Sequence, residues 1–164
     1  SQFFRSAVDK YSWVDVGSSY LMNDISAAYL WGNIGMADEI TQNRLRTWRQ
    51  YYDSLKYLEI QGFIELPNNH IHNAHMFYIK VMSLNVRDAL IGYLKEKYIL
   101  AVFHYVPLHS SEAGKRFGVF HGVDTHTTTE SDRLLRLPIY YNMTEDDLHY
   151  IVESIGKFFN VGTI

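Results

Sequence analysis

Apolar residues recur at helical spacing in several stretches of the chain, and these stretches predict its helices. The first begins at Asn23, a good N-cap residue, and Asp24 follows in the first turn, where the helix dipole favours an acid. Its apolar face includes Ile25 and Tyr29, and few of its positions are polar. We therefore expect a buried helix that is interrupted near Gly35, because glycine weakens a helix interior.

An amphipathic helix is predicted next, from about Ala37 to Tyr57, with Gly62 beyond its end. Its arginines lie mostly opposite an apolar face formed by Trp48, Tyr51, Tyr52, Leu55 and Leu58. This pattern indicates that one face packs while the other meets water.

Capping residues predict where three later helices begin. Asn85 is expected to cap one helix, and Thr127 and Glu130 have the spacing of a capping box ahead of a short helix at 131–135. Thr144 and Asp147 resemble a second capping box. The helix after it is expected to bury Leu148, Ile151, Val152, Ile155, Phe158 and Phe159.

Strands are predicted where β-branched and aromatic residues cluster or alternate with polar ones. The segments are Phe63–Leu66, Met76–Met82, Ile99–Tyr105 and a short extended piece at Leu137–Ile139. No repeat or low-complexity linker separates them from the helices. The sequence therefore predicts one α/β unit in which helices pack on a small sheet.

The composition gives no reason to expect nucleic acid or a membrane as a partner. The net charge is −3 without a long basic block, so nothing attracts a polyanion, and no apolar run reaches membrane-spanning length. The chain has no cysteine, which excludes disulfides and thiolate chemistry and fits a reducing compartment. We therefore expect a cytoplasmic protein.

Aromatic residues are unusually frequent, at 15% of the chain. Tyrosine and tryptophan combine a large apolar body with a polar tip and are enriched where surfaces meet. An extensive interface and an aromatic-rich core are both compatible with this excess. The first 16 residues mix aromatic and charged side chains without a clear period, so we expect an arm that something else covers.

The histidines raise the hypothesis of a metal site. His70, His72 and His75 lie close together, but in a polar loop that lacks an HExxH or cysteine framework. Zinc needs three or four ligands that converge on one point. We assign no metal ligand, and a metal-dependent enzyme remains the weakest of the alternatives.

His104, Tyr105 and His109 lie where a predicted strand passes into a loop, ahead of a short helix around Glu112–Phe117. Imidazole and phenol groups there could form hydrogen bonds with a polyhydroxyl or phosphate ligand. The alternative is that His104 is a core histidine and that Tyr105 packs.

The stretch Asp15–Leu30 places a glycine and small hydroxyl residues just before the first helix, an arrangement suited to an anion. The chain contains no Gly-x-Gly-x-x-Gly, Walker loop or serine nucleophile elbow. The residues alone therefore indicate an α/β protein with one suggestive stretch.

Four segments in one order carry a resemblance to a known family: G-S-S-Y-L-M-N-D-I-S-A-A-Y-L at 17–30, N-A-H-M-F-Y-I-K at 73–80, A-V-F-H-Y-V-P-L-H at 101–109 and S-D-R-L-L-R-L-P-I-Y-Y-N-M-T at 131–144. The chain closely resembles the C-terminal part of the pyridoxal-phosphate-dependent nucleotide-sugar aminotransferases of the DegT/DnrJ/EryC1/StrS family. The resemblance runs from Ser1 to about Phe159.

This resemblance implies the small C-terminal domain of a fold-type-I aminotransferase, at 23–164, preceded by an arm and linker at 1–22. It also implies pyridoxal 5'-phosphate as cofactor, a homodimer, and glutamate and a dTDP-4-keto-6-deoxy sugar as substrates. The family's cofactor lysine and the acid on the pyridine nitrogen precede the region matched here, and no lysine of this chain lies in the lysine motif. We therefore expect that the chain alone is inactive and that no catalytic residue lies within it.

The resemblance also suggests roles for two groups of residues. Gly17, Ser18, Ser19 and Tyr20 match a segment that approaches the cofactor phosphate of the neighbouring subunit. Many relatives have asparagine where this chain has Leu21, which cannot donate a hydrogen bond, so hydroxyl or backbone groups must replace that contact. The H-Y-x-P-L-H loop places His104, Tyr105 and His109 near the nucleotide sugar. The competing hypothesis is a stand-alone, non-catalytic dimerisation or ligand-binding domain.

Overall fold

The computed structural model describes residues 22–68 and 71–161. These residues fall into two compact units that divide between Met36 and Ala37. The predicted boundary between residues 22 and 23 separates a linker from a domain, and it stays a prediction.

The first unit contains helix α1, Asp24–Ile34. Asn23 caps it as predicted, because its side chain accepts a hydrogen bond from the Ser26 amide at 2.9 Å, and the helix ends at Gly35. The expectation that this helix is buried is wrong: none of its residues is buried, and Trp31 is 79% exposed. Its apolar composition led to this expectation, but composition cannot tell whether the same chain supplies the cover.

The second unit is built from three long helices and a four-stranded sheet. The helices are α2 (Ala37–Ile60), α3 (Leu84–Glu96) and α6 (Glu145–Phe158), and the short helices α4 (Glu112–Phe117) and α5 (Thr127–Arg133) lie between the last two. The strands are β1 (Ile64–Glu65), β2 (Phe77–Val81), β3 (Val102–Phe103) and β4 (Leu134–Leu137).

The sheet is antiparallel throughout, in the order β1-β2-β4-β3. In β2 the buried residues Phe77, Ile79 and Val81 alternate with the partly exposed Tyr78 and Lys80, so only one face of the strand is fully buried. This alternation is typical of an antiparallel sheet with one face on the core. The predicted α/β arrangement of helices on a small sheet is confirmed.

The core lies between that sheet face and the three long helices. It includes Tyr51, Leu55 and Leu58 from α2, Leu90 and Leu94 from α3, and Leu148, Ile151, Val152 and Ile155 from α6. Helix α6 contacts both α2 and α3, which makes the helices one layer over the sheet.

Arg44 of α2 fastens the loop that leads into β2. Its guanidinium donates hydrogen bonds to the carbonyl oxygens of Ala74, at 3.1 Å, and His75, at 2.7 Å. Ala74 has a positive φ of 52°, a backbone conformation that costs energy for a residue with a Cβ. The two bonds from Arg44 help to hold this turn in place.

Several predicted boundaries are wrong. For α3 the reason is that two residues near its start can both act as N-caps. Ser83, not Asn85, caps α3, since Ser83 Oγ accepts from the Val86 amide at 3.4 Å. Both residue types are good caps, and sequence alone does not rank them. Strand β3 is shorter than the predicted 99–105. Strand β4 spans Leu134–Leu137, so it shares only Leu137 with the extended piece predicted at 137–139, and it begins inside the helix predicted at 131–135.

Candidate functional site

The loop between β3 and α5 contains all three residues predicted to face a substrate. Strand β3 ends at Phe103, a single 3-10 turn covers Leu108–Ser110, and α4 begins at Glu112. Ser111 caps α4 by accepting a hydrogen bond from the Gly114 amide at 3.0 Å. The predicted loop followed by a short helix at Glu112–Phe117 is confirmed.

Gly114 allows this loop to fold tightly. A Cβ at this position would lie 1.6 Å from the carbonyl oxygen of Leu108, closer than any side chain permits. Only glycine lets the backbone of α4 approach the 3-10 turn so closely. This close approach sets the position of His109, which lies in that turn.

The imidazole of His109 has two partners. Its Nε2 lies 2.9 Å from Oδ2 of Asp124, and its ring stacks on Phe120 with centroids 4.5 Å apart and planes at 29°. The side chains of His109 and Asp124 are 20% and 19% exposed, so the pair is largely shielded from water. An ionised carboxylate can only accept a hydrogen bond, so Nε2 carries the proton in this pair.

Asp124 is itself held by Thr128. The carboxylate accepts hydrogen bonds from the Thr128 amide, at 3.3 Å, and from the Thr128 hydroxyl. The hydrogen bond from the Thr128 side chain, followed by the Thr128 amide and His109, lowers the pKa of Asp124. The carboxylate is therefore ionised at neutral pH, as the pair with His109 requires.

His104 and Tyr105 lie earlier in the same loop, between β3 and the 3-10 turn. Their rings meet edge to face with centroids 4.8 Å apart, and Ser131 Oγ donates a 2.6 Å hydrogen bond to the Tyr105 carbonyl. Both side chains are exposed, so the alternative of a core histidine at position 104 is wrong.

Two neighbouring cavities receive these side chains. His109 lines one of about 710 Å³, together with apolar residues of α4 and the following loop. His104 and Tyr105 line a second of about 610 Å³. Leu108 and Thr127 belong to both linings, so the three predicted residues lie around adjacent concave surfaces and not in one pocket.

A network of charged side chains borders the second cavity, which Glu130 helps to line. Lys80 Nζ lies 2.7 Å from a Glu130 oxygen and 3.1 Å from a Glu65 oxygen, and Arg133 pairs with both acids. The network balances two acids with two bases, so Glu130 brings no unpaired negative charge to the cavity.

The residues that hold His109 were not identified from the sequence. The Thr127-to-Glu130 spacing predicts a capping box, and this prediction is wrong. Thr127 is the first residue of α5, and the N-cap residue is His126, whose side chain forms no capping hydrogen bond. The available signal was the spacing of Asp124 and Thr128, because an aspartate just before a helix readily bonds the amides of its first turn.

The cofactor-binding prediction lies elsewhere in the chain. Gly17, Ser18, Ser19 and Tyr20, together with Leu21 and the arm before them, fall outside the described residues. Their proposed contact with a cofactor phosphate stays a prediction.

The histidines of the first cluster serve the local fold where the structure describes them. His72 Nδ1 accepts from the Ala74 amide at 3.1 Å, and its ring lies against Trp48. His75 Nδ1 lies 2.9 Å from Asn73 Oδ1. Across residues 22–68 and 71–161, no three His, Cys, Asp or Glu side chains group as metal ligands would.

Three lysines are paired with glutamates. Hydrogen bonds to Glu59, Glu130 and Glu153 raise the pKa of Lys56, Lys80 and Lys157, respectively. These pairs favour the protonated amines.

Within the part of the chain that the structure describes, no helix is both long and apolar enough to cross a membrane.

Comparison with known proteins identifies a family. Residues 2–156 match the model of the DegT/DnrJ/EryC1/StrS aminotransferase family. This match covers nearly the whole chain, including the loop that contains His104, Tyr105 and His109.

Solved structures share the fold. DesV from S. venezuelae is similar with a TM-score of 0.80 at 21% identity, over 96% of this chain and 42% of that one. A DegT DnrJ EryC1 StrS aminotransferase from Brucella abortus gives 0.72 at 24% identity, over 92% and 39%. NtdA from Bacillus subtilis, solved with bound PMP, gives 0.65 at 24%, over 74% and 28%.

This chain thus spans less than half the length of each of these proteins. The predicted fold class, the small C-terminal domain of a fold-type-I aminotransferase, is confirmed.

Proposed function

The chain belongs to the DegT/DnrJ/EryC1/StrS aminotransferase family, and from this premise we propose that it is the C-terminal part of a pyridoxal-phosphate-dependent sugar aminotransferase. The match over residues 2–156 is the observation that carries this proposal. The likeness to solved aminotransferases supports it through the fold.

The substrates that we propose are glutamate as amino donor and a dTDP-4-keto-6-deoxy sugar as acceptor. The support is the resemblance of the four quoted segments to the transaminase that makes dTDP-4-amino-4,6-dideoxygalactose for enterobacterial common antigen. A cytoplasmic location stays a prediction from the cysteine-free sequence.

When bound, pyridoxal phosphate would supply the electron sink that amino transfer requires. The described residues would contribute substrate binding. His104 and Tyr105 offer exposed polar groups at one cavity, and His109 offers an oriented imidazole at the next. Such groups can form hydrogen bonds with sugar hydroxyls and phosphate oxygens.

We propose that the lysine that binds the cofactor lies in a large domain outside this chain. The support is that none of the lysines of this chain lies in the family's lysine motif, and that the chain spans less than half the length of the similar solved aminotransferases. The chain by itself is then inactive, and the active enzyme combines it with the large domain. We call that combination the intact enzyme.

We also propose a homodimer, with Gly17, Ser18, Ser19 and Tyr20 approaching the cofactor phosphate of the neighbouring subunit. The apolar helix α1 supports this assembly, because its large side chains are exposed in the single chain.

The reaction is tested by mixing the intact enzyme and pyridoxal phosphate with glutamate and dTDP-4-keto-6-deoxyglucose. We expect the amino sugar nucleotide and 2-oxoglutarate as products. Absence of transfer to this acceptor, with transfer to another nucleotide sugar, would overturn the assignment of substrate but not that of family.

The role of the loop is tested by His109→Ala in the intact enzyme, which should raise KM for the sugar nucleotide or lower kcat. His149→Ala, at an exposed position of α6, is the matched control. Unchanged kcat/KM in His109→Ala would remove His109 from the site.

The location of the lysine is tested with the 164-residue chain alone. Mixed with pyridoxal phosphate, it should show no absorbance band of a lysine-cofactor adduct. A stable band at one specific lysine would contradict the proposal that this residue lies outside the chain.

A further inference from the structure

We propose that Asp124 is a positioning residue for amino transfer: it holds His109 so that Nδ1 of the imidazole is the atom presented to the sugar nucleotide. The proposal rests on the proposed function, because it assumes that His109 contacts that substrate. It adds Asp124 and Thr128 to the residues on which the reaction depends.

The hydrogen bond to Asp124 determines which nitrogen of His109 carries the proton. Neutral imidazole carries one proton, and the hydrogen bond made by one nitrogen decides the role of the other. Nε2 of His109 lies 2.9 Å from the carboxylate of Asp124, which can only accept. Nε2 is therefore the donor, and in the neutral ring Nδ1 is left as an acceptor.

The orientation of the His109 ring is also restricted. A histidine held by one hydrogen bond can still rotate about that bond, but Phe120 stacks on the His109 ring at 29° between planes. The hydrogen bond and the stacked ring together leave one plane for the imidazole. Within residues 22–68 and 71–161, His109 makes no other hydrogen bond, so Nδ1 is available to a ligand of the cavity that His109 lines.

Asp124 is itself held in place by Thr128. Its carboxylate accepts from the amide and the hydroxyl of Thr128, which lies in the first turn of α5. The aspartate is thus tied to a helix and not only to the loop that precedes it. Helix α5 therefore holds Asp124 in place, and Asp124 in turn holds His109.

The chemistry of the proposed substrate suits this arrangement. Sugar hydroxyls are hydrogen-bond donors, and an imidazole nitrogen fixed as an acceptor at one point can select the orientation of the sugar ring. In the other tautomer Nδ1 would carry the proton, so it could not accept a hydrogen bond from the sugar hydroxyl. An enzyme without the carboxylate would hold both tautomers and ring orientations.

The test uses the intact enzyme with the variants Asp124→Ala, Asp124→Asn and Thr128→Val. The first removes the acceptor, the second keeps an acceptor oxygen without the charge, and the third removes only the hydroxyl that holds the carboxylate. Asp53→Asn is the matched control, because it removes a carboxylate that pairs with Arg49 on the exposed side of α2.

We expect kcat/KM for the sugar nucleotide to fall about 10- to 100-fold in Asp124→Ala. This is the size of the loss when the carboxylate that orients a metal-binding histidine is removed. Asp124→Asn should lose less, Thr128→Val should show a smaller loss in the same direction, and Asp53→Asn should match the wild type. In a His109→Ala background, Asp124→Ala should cause no further loss, because it acts through the missing imidazole.

Nitrogen-15 NMR of selectively labelled histidine gives a readout independent of activity. His109 should be protonated at Nε2 in the wild type and become a mixture of tautomers in Asp124→Ala. An unchanged tautomer, or an equal loss of kcat/KM with and without His109, would overturn the proposal. If the wild type does not act on nucleotide sugars, the proposed function fails, while the NMR measurement still decides whether Asp124 orients His109. If Asp124→Ala does not fold, the kinetic criterion is applied to Thr128→Val: an equal loss of kcat/KM with and without His109 would overturn the proposal.

Discussion

Helices α1 and α6 are both rich in apolar residues, yet one is exposed and the other is largely buried on one face. Helix α6 buries six residues, including Ile151 and Ile155, whereas α1 buries none. In α6 the apolar residues form one stripe and the polar residues the other, which is the pattern of a helix that packs on its own domain. In α1 the apolar residues surround most of the helix.

Two kinds of apolar pattern therefore indicate two kinds of burial. A one-sided stripe indicates cover from the same fold, because the opposite face must meet water. An apolar surface on most sides indicates a helix that a larger assembly covers.

The largest expected effect is in the core that α6 covers. Phe77 is fully buried and stacks on Tyr51 with ring centroids 4.9 Å apart. Phe77→Ala should lower the free energy of unfolding by about 3–5 kcal/mol through lost burial and a cavity. Urea denaturation followed by tryptophan fluorescence measures this.

The matched variant is Tyr29→Ala in α1, where the side chain is 76% exposed. We expect it to change the free energy of unfolding by less than about 0.5 kcal/mol. A cost as large as that of Phe77→Ala would mean that the chain itself buries α1, and the comparison would fail.

The second effect concerns self-association of the 164-residue chain. If α1 is an interface, Trp31→Lys should weaken association about 30-fold, since a central aromatic contributes about 2 kcal/mol or more and 1.4 kcal/mol is tenfold. Analytical ultracentrifugation over a range of concentrations measures the dissociation constant.

Ile60→Lys, at an exposed end position of α2, should leave association unchanged. A wild-type chain that stays monomeric at high concentration would argue that α1 needs a different partner.

Local signals predicted much of the fold. The cap at Thr144, the stripe of α6 and the break at Gly35 depend on residues within one or two turns of each other, so they could be read directly from the sequence. The alternation at Met76–Met82 likewise predicted the strand that the structure has as β2.

The candidate site could be predicted only in part. The position of His109 at a loop after a strand is a local feature, but its bond to Asp124 joins residues 15 positions apart. That bond depends on the tight turn that Gly114 permits, which no periodicity reveals. Likewise, the exposure of α1 depends on what else binds there, so its apolar sequence led to a wrong prediction.

The third effect compares the caps of the two helices. Thr144 Oγ1 accepts from the Asp147 amide at 3.1 Å, and Asn23 Oδ1 accepts from the Ser26 amide at 2.9 Å. Thr144→Ala should lower the free energy of unfolding by about 1 kcal/mol, because α6 is part of the cooperative core. Asn23→Ala should reduce helix content without this loss.

Circular dichroism gives the helix content, and urea denaturation gives the free energy. Equal losses of stability from both variants would show that α1 unfolds together with the core, contrary to the comparison.

The smallest effect is the pH dependence of α6. A hydrogen bond from the Thr144 hydroxyl, followed by one from Tyr140, lowers the pKa of Asp147 below its ordinary value of 3.8. The fold therefore favours the ionised carboxylate. Its contribution to stability is complete above the pKa of the unfolded chain and is lost as the pH falls through the lower pKa of the folded state.

Asp147→Asn should accordingly be less stable than the wild type at neutral pH, and the difference should shrink below about pH 4, as the wild-type carboxylate gains its proton. Urea denaturation at a series of pH values measures the difference. In a Thr144→Ala background the pH-dependent part should be smaller, because the main cause of the lowered pKa is gone. A difference that grows toward acid pH has the wrong sign and would show that Asp147 is destabilised, not favoured, in its charged form at the start of α6.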